Sequence, residues 1–130
     1  MTIEEHIKFW IESADEDLDS ALAIFETKRY VWSLYIGHLS LEKILKALII
    51  RVTDNSLPPK IHNLLKLSEL AKISLDENQK EFFNDVNRFH IEGRYPEFKD
   101  ALNKIATFEF TKENLQKIKE NFQWLKSLIK

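Results

Sequence analysis

The chain of 130 residues contains no cysteine, and it has only two glycines and three prolines. Without cysteine it can form no disulfide framework, no thiolate nucleophile and no zinc site built on cysteine. So few turn-forming residues argue against a many-stranded sheet, because short strands need frequent turns. The composition therefore favours few, long elements in one domain over residues 1–130, which is long enough to form a hydrophobic core.

The chain also lacks an apolar run that could cross a membrane. Lys43, Lys46 and Arg51 interrupt the best stretch before it reaches the roughly 18 residues that a spanning helix needs. The N-terminus is amphipathic and acidic, unlike a signal peptide. We therefore expect a cytoplasmic protein that has no membrane partner.

Positive and negative charges nearly balance over the whole chain, but they are unevenly distributed along it. The net charge of −2 argues against a generic nucleic-acid binder. Residues 1–26 carry eight acids and one lysine, whereas residues 27–53 carry five bases and one acid. Residues 99–130 carry seven lysines and four acids. This asymmetry predicts a basic face built from the second and last helices.

Apolar residues repeat with a period near 3.6 along most of the chain, which predicts α-helices. The first three predicted helices span about 3–26, 30–53 and 61–72. A Ser74-x-x-Glu77 capping box predicts the start of a fourth helix, which ends near Gly93. A short helix over 97–106 and a last helix over 112–129, with Thr111 as its N-cap, complete the prediction. The predicted fold class is all-α: an antiparallel up-and-down helical bundle of four main helices plus one or two short helices.

The second helix is apolar on most sides, yet it carries a row of polar residues at helical spacing: Tyr35, His38, Glu42 and Lys46. Buried polar groups are costly unless they are paired. The row is therefore either a satisfied packing device or one edge of a ligand site. In the first case Glu42 pairs with Lys46 and His38 bonds to a neighbouring helix. In the second, Glu42 orients His38 or a basic residue from another helix.

A second candidate region is the sequence Arg88-Phe-His90-Ile-Glu-Gly-Arg94-Tyr95-Pro96. Arginine presents a planar fork suited to phosphate, and tyrosine can stack on a base. The alternative is a corner clamp, with Tyr95 in the core and Arg94 bonding free carbonyls at the helix end. A third region begins at Pro58-Pro59 and predicts a helix start capped by His62 or Asn63.

No metal site and no cofactor is predicted. The histidines at positions 6, 38, 62 and 90 are scattered along the chain, and none has a glutamate three residues before it. That spacing is what carboxylate-bridged metal bundles use. Both glycines are isolated, so a glycine-rich phosphate loop is excluded as well.

Taken in order, these features resemble the HEPN family, named for higher-eukaryote and prokaryote nucleotide-binding domains, in its small stand-alone prokaryotic branch. The matching pieces, which together span nearly the whole chain, are Trp10…Ala14…Asp17-Leu18…Ala21, Trp32-x-x-Tyr35, His38-x-x-x-Glu42-Lys43-x-Leu45-Lys46-Ala47-Leu48, Pro58-Pro59-x-x-His62-x-Leu64 and Arg94-Tyr95-Pro96. The resemblance implies a helical bundle, commonly a homodimer, that is often paired genetically with a minimal nucleotidyltransferase in toxin–antitoxin or defence modules.

The resemblance also implies a ribonuclease signature that this chain departs from. Many HEPN proteins are metal-independent ribonucleases with a histidine about four to six residues after an arginine. Here His90 follows Arg88 by two residues, and no histidine follows Arg94. We therefore assign no catalytic residue and expect a non-catalytic or weakly catalytic protein without the standard ribonuclease site. It would bind a nucleotide, RNA or a nucleotidyltransferase partner through the candidate residues Tyr35, His38, Glu42, Lys46, Arg88, His90, Arg94 and Tyr95.

Two alternatives stay open at this point. The first is an active, metal-independent ribonuclease toxin, in which Arg94 supplies the cation and His90, His38 or His62 supplies the base. The second is a purely structural dimerisation or interaction module. It would use apolar surface of the second helix that a bundle of this size leaves uncovered.

Overall fold

The computed structural model describes residues 1–130 apart from the side chain of Pro96. The described chain forms six helices and no strand: α1 (Ile3–Glu26), α2 (Tyr30–Thr53), α3 (Leu64–Leu70), α4 (Glu77–Arg94), α5 (Pro96–Ile105) and α6 (Phe108–Ser127). The predicted all-α helical bundle is confirmed. None of these helices is both long enough and apolar enough to cross a membrane.

The first two helices have the ranges that the sequence predicts. A capping box opens α1: the Thr2 hydroxyl accepts from the Glu5 N–H, and the Glu5 carboxylate accepts from the Thr2 N–H. At the other end of the pair, α2 stops where Asp54 adopts a left-handed conformation with φ of 56°. Its N–H then bonds to the Ile50 carbonyl at 2.8 Å, a helix-ending pattern.

The caps predicted for two later helices were wrong. The capping box of α4 is formed by Asp76 with Gln79, not by Ser74 with Glu77. The last helix begins four residues earlier than predicted, because Thr107 caps it and Thr111 lies buried inside it. In both segments the correct and the incorrect cap lie within four residues of each other. The local pattern therefore does not distinguish them, and packing decides.

The third helix begins at Leu64, three residues later than predicted. The Asn63 side chain caps it by accepting from the N–H groups of Leu65 and Lys66. Of the two residues predicted as its cap, Asn63 is therefore the correct one. This leaves the side chain of His62 free to turn toward α2.

The central helix α2 is surrounded by α1, α3, α4 and α6. Its apolar side chains supply much of the core, including the fully buried Leu34, Leu41, Ile44, Leu45 and Ile50. Only Trp32 and Val52, near its two ends, remain exposed among its large hydrophobic residues in the described structure. The single chain thus covers most of the apolar surface of α2, and what stays uncovered is confined to its two ends.

Acidic side chains of α1 pair with the bases of the helices that it contacts. Three such ion pairs are Lys43–Asp17 at 2.9 Å, Arg51–Glu4 at 2.6 Å and Lys126–Asp15 at 3.0 Å. The basic face predicted for the second and last helices is therefore partly neutralised by the acidic first helix.

Candidate functional site

Three of the four histidines meet at the side of α2. His38 lies on α2, His62 on the segment before α3, and His90 on α4. The ring centroids of His38 and His90 are 4.7 Å apart, and those of His62 and His90 are also 4.7 Å apart. These histidines are scattered along the chain, and they meet because α3 and α4 both pack on α2.

His38 is fully buried and held in one tautomer. Its Nε2 lies 2.9 Å from the backbone oxygen of His62. Because a carbonyl oxygen can only accept, we assign the ring proton to Nε2 and a lone pair to Nδ1. Burial, together with the neighbouring His90, lowers the pKa of His38 to about 4. The ring is therefore neutral at pH 7.

The Nδ1 atom of His38 is buried and has no hydrogen-bond partner among the described residues. It lies 3.9 Å from Oε1 of Glu42, which is too far for a hydrogen bond. Buried polar atoms are nearly always partnered, so this atom is an exception that needs an explanation.

Glu42 is the buried acid at the centre of the cluster. Its Oε1 accepts from Nδ1 of His62 at 2.9 Å, and its Oε2 accepts from Nζ of Lys46 at 3.1 Å. Burial alone raises the pKa of Glu42, but the His62 hydrogen bond and the Lys46 charge outweigh it, so the pKa is lowered. The predicted Glu42–Lys46 pair is thus present, and Lys46 also lies over the Trp10 ring at 5.6 Å.

Four rings contact one another in a row beside this acid, which we call the ring ladder: Trp32, Tyr35, His90 and His62. Tyr35, His90 and His62 are stacked, whereas the Trp32 ring is tilted by 51° against Tyr35. Successive centroids are 5.2, 5.5 and 4.7 Å apart, and the planes of Tyr35 and His90 differ by only 16°. Trp32 at one end is 49% exposed. The His62 side chain at the other end is 51% exposed. The ladder therefore joins the buried cluster to solvent at both ends.

The close contact of α4 with α2 depends on a glycine. A Cβ added at Gly93 would lie 3.1 Å from Cβ of Tyr35, which is tighter than ordinary packing. The missing side chain allows α4 to approach until His90, one helical turn earlier, stacks on Tyr35.

The two arginines predicted for the site lie on different faces of α4. Arg94 is one turn after His90, on the same face, and its charge adds to burial and to His62 in lowering the pKa of His90. Arg88 is two residues before His90 and points away. It pairs with Glu92 at 3.1 Å and lines a cleft between α4 and α6. Of the two arginines, Arg94 therefore lies close enough to His90 to affect its pKa, whereas Arg88 pairs with Glu92.

Tyr95 is 44% exposed, so the alternative that packs it in the core was wrong. The guanidinium of Arg94 lies over its ring at 5.8 Å. This cation–ring contact leaves both side chains at the surface, where they can meet a ligand.

A small cleft opens the cluster to solvent between His62 and His90. Its volume is about 90 Å³, and Asn63, Asn87 and Ile91 complete its lining. A water molecule takes about 30 Å³ in the liquid, so the cleft matches roughly three waters, a phosphate group or an ion, but not a whole base.

Larger clefts of about 450 and 290 Å³ lie between α4 and α6. The larger is lined mostly by polar side chains, and the smaller mixes polar side chains with Phe82, Phe89, Ile105 and Phe110. None of the described residues that line either cleft is a histidine. We assign the candidate site to the histidine cluster instead, because desolvated ionisable groups with shifted pKa values mark functional sites better than volume does.

His62 is the residue whose role the sequence analysis missed. From the sequence it was considered as a helix cap and as a possible base, yet its side chain bonds to Glu42 and its backbone oxygen bonds to His38. One sequence feature indicated that His62 is held in a fixed position: two prolines precede it, and they stiffen the segment that carries it. Nothing in the local pattern pointed to Glu42 as the partner.

The fold and site define a class: an all-α bundle whose central helix carries a buried polar centre connected to exposed aromatic and basic side chains. The HEPN domain profile matches residues 7–128, nearly the whole chain. The chain therefore belongs to the HEPN domain family, which confirms the resemblance and indicates a nucleotide- or RNA-related function in general. Searches of curated proteins and of solved structures gave no significant match.

Proposed function

We propose that this protein binds a nucleotide or a single-stranded RNA over the ring ladder and Arg94. The observation that carries the proposal is the row of contacting rings from Trp32 to His62, of which Tyr35, His90 and His62 are stacked, with Arg94 on the same face of α4 as His90. Aromatic rings stack on bases of any sequence, and the arginine fork is suited to phosphate. The cleft between His62 and His90 has the volume of one phosphate group.

Calorimetric titration with nucleoside triphosphates and a short oligoribonucleotide tests this proposal. The buffer contains a chelator, so that binding does not depend on a metal ion. We expect saturable binding that weakens as salt rises, and Arg94→Ala should reduce the salt slope by roughly 0.7 per lost phosphate contact on a single strand. Arg88→Ala is the matched control, because it removes the same charge from a different face of α4.

The two arginine variants separate specific binding from a general charge effect. Normal binding by Arg88→Ala together with weakened binding by Arg94→Ala supports the site. Equal weakening in both, or no binding by the unsubstituted protein, contradicts it.

The proposal also includes a partner. HEPN domains commonly dimerise and bind RNA, and we propose that this chain forms a homodimer and works with a minimal nucleotidyltransferase in a toxin–antitoxin or defence module. Apolar side chains exposed at the start of α2 and on α5 offer a surface for such contacts: Trp32, Phe98 and Ile105. Light scattering tests the dimer, and co-purification with a nucleotidyltransferase encoded by the adjacent gene tests the module. A monomer at micromolar concentration contradicts the homodimer, and a failure to co-purify contradicts the nucleotidyltransferase partner.

A second candidate function is metal-independent RNA cleavage, and the convergence of three histidines favours it. One histidine would take the proton of the 2′-hydroxyl, whose oxygen then attacks the phosphorus. A second would protonate the departing 5′-oxygen, which leaves a 2′,3′-cyclic phosphate. Arg94 would stabilise the charge that develops on the phosphate oxygens. His62 is the accessible base, because His38 is fully buried.

Incubation of end-labelled RNA with the protein and a chelator tests the second candidate. His62→Ala and His90→Ala should each abolish cleavage, whereas His6→Ala on α1 should leave it unchanged. Cleavage that persists in both cluster variants points to a contaminant. If the unsubstituted protein cleaves nothing, the binding proposal stands alone.

A further inference from the structure

We infer that His38, Glu42 and His90 form a binding site for a divalent transition-metal ion, for which Zn²⁺ is the best chemical match. All three side chains are buried, and one ligand atom from each lies within 4.8 Å of the others. Two imidazoles and one carboxylate are a ligand set that Zn²⁺ uses while keeping a fourth position open. The inference rests on this geometry and is independent of nucleotide binding.

The unpartnered Nδ1 of His38 is the strongest support. It carries a lone pair in the buried space beside Glu42, and no hydrogen-bond donor reaches it among the described residues. The opposite ring nitrogen donates to the backbone oxygen of His62. Metal-binding histidines make this second contact almost always, because it fixes the tautomer and the orientation of the ring. A bound ion would provide the partner that Nδ1 lacks.

The carboxylate of Glu42 is also oriented by hydrogen bonds from neighbouring groups. His62 and Lys46 each donate to one of its oxygens, so that it is held ionised and in one orientation. Outer contacts of this kind support metal ligands in general. The positive charge of Lys46 opposes a second cation nearby, so we expect weaker binding than at cysteine-rich zinc sites.

Modest movement brings the three ligands to bonding distance. Zinc–ligand bonds of about 2.0–2.2 Å place tetrahedral ligand atoms roughly 3.4 Å apart, so the widest pair must approach by up to about 1.4 Å. The approach requires the His90 ring to shift within its contacts with Tyr35 and His62. The cleft of about 90 Å³ between His62 and His90 offers a path for the ion and room for a water as fourth ligand.

Titration of untagged, chelator-treated protein with ZnCl₂ tests the inference without any nucleotide. We expect one Zn²⁺ per chain by calorimetry and tetrahedral absorption bands when Co²⁺ replaces Zn²⁺. At 100-fold excess over Kd, Tm should rise by on the order of 5–10 °C. Glu42→Gln and His90→Gln should each lose stoichiometric binding. His6→Gln, which changes the histidine outside the cluster, should bind as the unsubstituted protein does.

A measurement on the unsubstituted protein avoids the risk that core variants unfold. Long-range ¹H–¹⁵N NMR spectra of the imidazoles should show the Nε2–H tautomer of His38 before metal is added. Addition of Zn²⁺ should then shift its Nδ1 resonance. An unshifted Nδ1, or stoichiometric binding that survives in folded Glu42→Gln and His90→Gln, overturns the inference. Neither result bears on the nucleotide titration, which contains a chelator.

Discussion

The Nε2–H group of His38 donates a hydrogen bond of 2.9 Å to the backbone oxygen of His62. The side chain of the same His62 bonds to Glu42, one turn after His38 on α2. The central helix therefore holds the segment before α3 through both its main chain and its side chain. This double attachment positions one end of the ring ladder.

Removing the His38 ring should destabilise the protein strongly. His38→Ala loses a buried hydrogen bond and leaves a cavity beside His90, for which we expect a loss of roughly 2–4 kcal/mol in the free energy of unfolding. Urea denaturation measures it. His6→Ala, outside the cluster, should change stability by less than about 0.5 kcal/mol. A His38→Ala protein as stable as that control would contradict the role of the bond.

Stability should fall as the solution is acidified from pH 7 to pH 4. Burial, with His90 nearby, lowers the pKa of His38 to about 4 in the folded state, whereas it is near 6.5 when unfolded. Between these values the unfolded chain binds more protons, so the free energy of unfolding rises with pH across this window. The difference corresponds to about 3 kcal/mol, present in full above pH 6.5. The lowered pKa of His90 acts in the same direction.

Urea denaturation at several pH values between 4 and 7 measures this dependence. In His38→Gln the slope over pH 4.5–6.5 should become shallower, because the main titrating group is gone. The lowered pKa of Glu42 adds a further loss below about pH 4.5, which this variant keeps. A slope that is the same in both proteins would show that His38 titrates normally in the folded state.

Breaking the buried pair of Glu42 and Lys46 should cost more than breaking an exposed pair of the same spacing. Glu42→Gln leaves the Lys46 ammonium buried without a countercharge, for which we expect a loss of about 3–5 kcal/mol. Glu12→Gln removes the exposed partner of Lys8 and should cost less than about 0.5 kcal/mol. The double change Glu42→Leu with Lys46→Met should recover much of the loss, because no unpaired charge remains. Thermal unfolding compares all three.

The two glycines should respond differently to alanine, although both lie in helices. At Gly37 the nearest obstacle to a new methyl is Cδ1 of Ile118 at 2.9 Å, the flexible end of a side chain. At Gly93 it is Cβ of Tyr35 at 3.1 Å, which is fixed to the backbone of α2. Alanine gains roughly 1 kcal/mol in helix propensity at either position. We therefore expect Gly93→Ala to be less stable than Gly37→Ala by about 1 kcal/mol in urea denaturation, and equal stabilities would contradict this account.

Helix bounds that depend on neighbouring residues were predicted from the sequence, whereas those that depend on packing were not. The ranges of α1 and α2 were predicted, because a cap and an apolar stripe act within a few residues of one another. The start of α6 was wrong, because Thr107 and Thr111 are both suitable caps and only packing chooses between them. Of the two predicted arginines, one lies close enough to His90 to affect its pKa and the other pairs with Glu92, although both stand on the same helix.

By itself the sequence determined the helical class, the central position of α2 and its row of polar residues, since each depends on patterns that repeat within one or two helical turns. It also determined the family, through the order of its motifs along nearly the whole chain. Only the tertiary structure decided which polar groups meet. His62 lies 24 residues from His38 along the chain, and its bonds to α2 form only once the helices have packed. The same packing leaves Nδ1 of His38 buried without a partner, and no periodicity in the sequence records that. Burial and long-range contact set the chemistry of this site, and both are properties of the folded chain.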